Sequence, residues 1–405
     1  MSKAKQKKWI RPRHKVVTAV VRQLLKPYCR WKYGIRVEPF KEQGDRQYLV
    51  LMNHQTPFDQ FFTGICFKNP IYYIATEDIF SLGWLSSVLR YLVAPIPIKK
   101  QTSDLQAVMT CLRVAKEGGS IGMAPEGNRT YSGRTEHINP AIIKLAKKLK
   151  LPIALFRIEG GYGTQPRWSD VIRKSKMRAY VSRVIEPEEC AAMSDEEFYD
   201  AICTGLYVDD QVGNEVYPHK KQAEYLERAF YVCPFCGLSA FESHDDVVEC
   251  LSCHSKIRHL PTLELQGVNC DFPYGTVGEW YDAQKAYVNA MDLTCCQEKP
   301  MFRDEAKISE VIPYKHKVPF RKKANVALYG DRIVFDEGAE GELVLSFAEI
   351  TALAVLGRNK ANIYHGGRVY QLKGSERFNA LKYVNFYFRY KNISRGDTEE
   401  TYLGI

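Results

Sequence analysis

The chain has 405 residues, 45% hydrophobic and 26% charged, a length that predicts two or three domains and a composition that excludes a mainly disordered protein. Its formal net charge of +10 favours anionic partners: nucleic acid, phosphorylated metabolites or an acidic bilayer. A mean hydropathy of -0.32 and the lack of an unbroken apolar run long enough to span a bilayer argue against a transmembrane helix, and no secretory signal follows the basic start.

Residues 1–34 form a basic arm. No acidic residue precedes Glu38, whereas Lys3, Lys7, Arg11, Lys15, Arg22 and Lys32 all do. Within the arm, Val17, Val20, Val21, Leu24 and Leu25 fall at helical spacing between Trp9 and Trp31. A basic helix with one apolar stripe and aromatic flanks reads as a segment lying on an anionic membrane surface. The same pattern also describes a helix packed on its own domain.

From residue 35 to 215, short apolar strands alternate with helices. The strands are expected at Tyr48–Met52, Ile71–Ala75, Ala94–Ile98, Ser120–Ala124 and Pro152–Ile158. A helix over Asp104–Lys116 is expected to follow Ser103 as its cap and to stop at Gly118-Gly119. Another, over Ala141–Lys150, has Asn139 before it and Pro140 at its first turn. Ser194 and Glu197 form a capping box that opens a last helix. This alternation predicts an α/β layer, a mostly parallel sheet flanked by helices, with the site in the loops after the strands. The apolar set Phe80, Leu82, Trp84, Leu85, Val88, Leu89 and Leu92 reads as a buried core helix in preference to a wall for an acyl chain.

Residues 231–265 carry Cys233-Pro-Phe-Cys236-Gly and Cys250-Leu-Ser-Cys253-His. Two C-x-x-C knuckles at this separation predict a zinc ribbon in which Cys233, Cys236, Cys250 and Cys253 close a structural tetrahedral site. All four positions are sulfur, so the ion is expected to hold the fold and not to act on substrate. The twelve cysteines otherwise suit a reducing compartment. Residues 266–300 read as a linker. From 301 to 405, strands are expected at Asn325–Leu328, Arg332–Phe335, Glu342–Phe347, Ile350–Leu356, Ala361–Tyr364 and Arg368–Leu372, then one helix capped by Ser375 with Phe378, Leu381, Val384 and Phe388 on one face. A β-rich domain closed by one helix resembles a pleckstrin-homology (PH) or GRAM-type barrel.

The chemistry lies in two blocks. In Asn53-His54-Gln55-Thr56-Pro57-Phe58-Asp59, Asp59 can return onto one imidazole nitrogen of His54 and leave the other to accept a proton. In Ala124-Pro125-Glu126-Gly127-Asn128-Arg129, glycine allows close backbone approach and arginine offers a fork of donors suited to phosphate. Each block alone is compatible with a satisfied polar residue or an ordinary turn. Together and in this order they resemble the 1-acylglycerol-3-phosphate acyltransferase superfamily. Ile96-Pro97-Ile98-Lys99-Lys100 and Leu151-Pro152-Ile153-Ala154-Leu155 answer its other two blocks. The resemblance runs from about residue 35 to 190. Ala124 replaces the usual aromatic residue, and Lys100 stands for the usual arginine, keeping the charge while losing the bidentate fork.

The resemblance implies His54, Asp59 and Glu126 as catalytic residues and Asn53, Lys100, Gly127 and Arg129 as substrate-binding residues. It implies a peripheral membrane O-acyltransferase on the cytoplasmic face, moving a fatty acyl group from acyl-coenzyme A or acyl carrier protein to a lysophospholipid hydroxyl. The partners are then anionic membrane lipid, the lysophospholipid acceptor and the acyl thioester. Two rivals remain at this stage: a catalytically silent membrane scaffold, and a zinc-ribbon nucleic-acid-binding protein. The ribbon's Glu242, Asp245, Asp246 and Glu249 disfavour nucleic acid.

Overall fold

The computed structural model describes residues 8–81, 83–98, 104–211, 213, 215–312, 316–397 and 400–405. Helix α1 (Pro12–Tyr33) opens with proline at its first turn and closes at Gly34. Gly34 has φ +63°, and a Cβ there would meet the Ser175 carbonyl oxygen at 2.0 Å, so only glycine fits this close crossing. His14, Cys29 and Tyr33 are buried, whereas Val16, Val20, Leu24 and Trp31 face outward.

The next elements are β1 (Arg36–Val37), β2 (Leu49–Met52), α2 (Asp59–Cys66), β3 (Ile71–Thr76), α3 (Trp84–Leu92), β4 (Ile96–Ile98) and α4 (Leu105–Lys116). They are followed by β5 (Ser120–Met123), α5 (Ala141–Leu149), β6 (Ile153–Glu159), the single turn α6 (Gly161–Thr164), β7 (Arg178–Ile185), α7 (Pro187–Ala192) and α8 (Asp195–Leu206). The sheet runs β1-β7-β6-β2-β5-β3-β4. Only the β6–β7 pair is antiparallel.

Strands β2 and β6 are apolar on both faces because both are covered. Leu49, Leu51, Ile153 and Leu155 pack with α4, α5 and α8, while Val50, Met52, Ala154 and Phe156 pack with α1 and α2. This agrees with the expected α/β class. Strands β1 and β7 were not anticipated; β1 has only two residues, and Arg178, Ser182 and Arg183 interrupt the apolar run of β7. Helix α4 is capped by Asp104, whose carboxylate accepts from Ala107 N at 3.0 Å; the expected cap Ser103 lies outside the described residues. The Ser194–Glu197 capping box of α8 is present in both directions. Helix α3 is not a core helix. Trp84 is 78% exposed, and Leu85 and Val88 are exposed too.

The cysteine-rich part begins with the pair β8 (Val232–Cys233) and β9 (Gly237–Leu238). A four-stranded antiparallel sheet follows, β10 (Phe241–His244), β11 (Val247–Cys250), β12 (Lys256–His259) and β13 (Leu265–Gly267). The stretch 266–300, expected as a linker, instead carries α9 (Val277–Ala290), opened by a Thr276–Glu279 capping box. Trp280 stacks on Phe230 at 3.7 Å and donates to Val232 O, so α9 is part of the core.

The remainder is β14 (Phe302–Val311), β15 (Lys317–Leu328), β16 (Arg332–Phe335), β17 (Leu343–Ser346), β18 (Ile350–Leu356), β19 (Lys360–His365), β20 (Arg368–Gly374) and α10 (Leu381–Ser394). All pairs are antiparallel in the order β17-β16-β15-β14-β20-β19-β18. The first strand pairs with the last, curling the sheet into a half-barrel. Helix α10 starts later than expected and is not capped by Ser375. Asn379 Oδ1 accepts from Lys382 N, and its amide donates to Glu227 O and Phe230 O, so tertiary bonds fix that start and leave Phe378 in the loop. One hydrophobic core joins this half-barrel, α9 and the cysteine-rich sheet to Tyr131 and Trp168 of the first domain.

Candidate active site and cysteine centre

Two loops at the C-terminal ends of β2 and β5 build the site, as expected for a parallel sheet. The chain leaves β2 through Asn53 and enters α2 at Asp59. Asp59 is 1% exposed and its carboxylate is saturated: it accepts from Gln55 N at 2.7 Å, Thr56 N at 3.0 Å and Thr56 Oγ1 at 2.7 Å. It also contacts His54 Nδ1 at 2.8 Å. Asp59 therefore fixes the Nδ1–H tautomer, leaving Nε2 of the partly accessible imidazole as the basic nitrogen. Burial lowers the pKa of His54; Asp59 raises it, and Arg129 and Arg167 lower it.

The second loop docks on the first through backbone. Glu126 accepts from His54 N at 2.7 Å with Oε1 and from Glu136 N at 2.8 Å with Oε2, while Thr130 N donates to His54 O at 3.0 Å. Glu126 thus bridges two main-chain amides and does not touch the imidazole. It is a positioning residue where a catalytic one was expected. Burial drives its pKa well up against the pull of those two N–H donors. Replacing Glu126 by alanine leaves both buried amides unpaired and should lower stability by about 1–3 kcal/mol per amide. A thermal midpoint equal to wild type would contradict this bridging role.

Asn53, expected to bind substrate, is 1% exposed. Its amide donates to Ile158 O at 2.8 Å and accepts from Ile158 N at 2.7 Å. Both its groups clamp β2 to β6, and its burial keeps it from the open site. Gly127 sits exposed at the tip of the second loop with φ +70°, its N–H bonded to Ala124 O. Arg129 stands beside His54 with Nη1 buried and, among the described residues, without a hydrogen-bond partner. Lys100 lies outside the described residues.

Sequence reasoning missed Arg167. It donates from Nη1 to Arg129 O at 2.8 Å and from Nη2 to Asn128 Oδ1 at 3.3 Å, and its guanidinium lies over Tyr131 at 4.5 Å. Its signal was positional: it belongs to the loop that follows β6, at the same end of the sheet.

The four cysteines of the two knuckles converge. Their Sγ atoms all lie within 4.8 Å of one another, with Cys233–Cys253 and Cys236–Cys250 at 3.6 Å. Thiolates about 2.3 Å from a central tetrahedral ion stand about 3.8 Å apart, so the donor set fits such an ion. Gly237, at φ +79°, makes the turn after the second knuckle cysteine. Nearby, His254 and His244 bond Glu249 and Glu242.

Residues 35–158 match the Acyltransferase family model. The chain is 20% identical over 163 residues to 1-acyl-sn-glycerol-3-phosphate acyltransferase of Bacillus subtilis, covering 40% of this chain and 78% of that protein. It is 22% identical over 156 residues to the chloroplastic 1-acyl-sn-glycerol-3-phosphate acyltransferase BAT2 of Brassica napus, covering 38% of this chain and 44% of that one. Among solved structures it is similar to the 1-acyl-sn-glycerophosphate acyltransferase of Thermotoga maritima, at 20% identity and a TM-score of 0.41 over 47% of this chain and 76% of that chain. The family and sequence matches support the 1-acylglycerol-3-phosphate acyltransferase superfamily for the first domain. The sequence matches each cover about two fifths of the chain.

Proposed function

We propose that the protein is a peripheral membrane O-acyltransferase that moves a fatty acyl group from a thioester to the hydroxyl of a phosphorylated lysolipid such as 1-acyl-glycerol-3-phosphate. The observation that carries this reading is the His54–Asp59 pair held against the Pro125–Arg129 loop by Glu126. His54 Nε2 takes the acceptor hydroxyl proton as the oxygen attacks the thioester carbonyl; the C–O bond forms, the C–S bond breaks, and the proton passes to the departing thiolate. Thiolate is a good leaving group, so no covalent enzyme intermediate is needed. Arg129 holds the acceptor phosphate. The test is release of free thiol from acyl-coenzyme A, and separately from acyl carrier protein, by the full chain with lysophosphatidate in anionic vesicles. Release that depends on acceptor supports the reading, and none with either donor sinks it.

Among the described residues no helix is long and apolar enough to cross a membrane. What supports docking on a membrane surface, which we place on the cytoplasmic face, is a surface shared by α1 and α3. Val16, Val20, Leu24 and Trp31 line one side of α1, and Trp84, Leu85, Val88 and Tyr91 lie exposed on α3. Arg13 ties the two by donating to Tyr91 O at 2.8 Å. Exposed Lys15, Lys26, Arg30 and Lys32 border the apolar residues, the combination an anionic bilayer attracts. Changing Leu24 and Trp31 together to serine should weaken binding to phosphatidylserine-containing vesicles by about tenfold or more. Sedimentation with unchanged affinity would remove this surface from the proposal.

Zinc is the ion we assign to the four thiolates, on the all-sulfur donor set and closed geometry. The strand order of the half-barrel and its closing C-terminal helix support a PH/GRAM-like domain.

A further inference from the structure

A second group of arginines surrounds the site, and part of it comes from the other end of the chain. Arg129 and Arg167 form no ion pair among the described residues. Arg129 Nη1 and Arg167 Nε are both buried without a hydrogen-bond partner. Asp59, the carboxylate facing Arg129, is already saturated by His54, Gln55 and Thr56. Three residues beyond Arg167, Asp170 receives Arg358 Nη1 at 2.9 Å and Arg228 Nη1 at 2.6 Å. Arg358 lies in the turn between β18 and β19, next to Gly357 at φ +62°, so the half-barrel brings a guanidinium onto Asp170, three residues beyond Arg167.

Arg358 is paired with Asp170, but Arg129 Nη1 and Arg167 Nε are buried and unsatisfied, a cost that a bound anion offsets. We infer that Arg129, Arg167 and Arg358 together form a site for a phosphate-monoester dianion, so that the C-terminal domain completes the recognition of the acyl acceptor's headgroup. This rests on the acyltransferase reading above and goes beyond it by naming the residues, the charge state and the domain involved. Burial and the nearby charges of Arg167 and Arg358 pull Arg129 down to about 9, the mutual repulsion that a dianion relieves. A monoester presents two charges and several acceptor oxygens to this fork geometry; a phosphodiester headgroup presents one charge, and a neutral glycerol none.

The test uses the full chain carrying His54→Ala, so that no turnover occurs, titrated calorimetrically with inorganic phosphate, glycerol 3-phosphate, lysophosphatidate and lysophosphatidylcholine. We expect inorganic phosphate and the two monoesters, glycerol 3-phosphate and lysophosphatidate, to bind and lysophosphatidylcholine to bind at least tenfold more weakly. Binding of glycerol 3-phosphate should fall about tenfold or more in Arg167→Gln and in Arg358→Gln. Arg358→Lys, which keeps the contact with Asp170, serves as the folded control and should recover part of the affinity. Wild-type affinity in Arg358→Gln, or no phosphate binding by the parent, overturns the inference. Acyl transfer without phosphate binding likewise overturns it while leaving the catalytic reading intact. Arginine-dependent phosphate binding without acyl transfer sustains the site and rejects the catalytic reading.

Discussion

Acyl transfer by the His54→Ala protein is expected to fall by about 10²–10⁴-fold, the range a positioned general base supplies. Asp59→Asn should also lower the rate, because the asparagine cannot hold the Nδ1–H tautomer as a carboxylate does. The pH profile separates the two. Burial depresses the His54 pKa, with Arg129 and Arg167 adding to the fall and Asp59 opposing it. The base acts when neutral, so the rate rises with pH through that depressed value. Removing the Asp59 charge removes the opposing effect, and the acid limb of kcat/KM should move to still lower pH. A limb that stays or moves upward in Asp59→Asn would count against His54 as the base.

Cys233→Ser should release the metal and unfold far more than one knuckle. Structural zinc sites contribute on the order of 10–16 kcal/mol of apparent binding energy. Val232, Cys233 and Cys250 belong to the same core as Trp280, Tyr281 and Tyr383, so the loss spreads into α9 and the half-barrel. Metal analysis of wild type should give one zinc per chain and none in the variant. Calorimetry should show the transition of the C-terminal half lost or lowered by tens of degrees. A metal-free variant with the wild-type transition would refute a structural ion.

Much of the first domain was legible because buried parallel strands leave uninterrupted apolar runs: Leu49–Met52 and Ile153–Glu159 stand within a residue or two of their expected limits. His54 and Asp59 were legible for a related reason, since five residues of loop and helix start are enough to close their contact locally. Glu126 was found, but its role was not; only the fold brings its carboxylate to the His54 and Glu136 amides. Asn53 misled because a polar residue beside a catalytic one reads the same whether it faces substrate or clamps a neighbouring strand. Helix α3 misled similarly, since an apolar stripe does not say whether protein or something else covers it. Arg167 and Arg358 are separated by 191 positions in the sequence, and no local pattern announces that both approach Arg129.

The core that joins Tyr131 and Trp168 to the half-barrel bears on the order in which the protein is made. A ribosome delivers β1 to β7 first, and those strands can pair while the rest is still being synthesised. Tyr131 must then wait for Tyr281, on which it stacks, and Trp168 for His259 to emerge. The nascent first domain therefore holds its His54–Asp59 pair early but carries exposed aromatic surface and an open arginine pocket until the final strands arrive. That interval is when a chaperone would engage this chain, and truncations ending near residue 215 freeze it there.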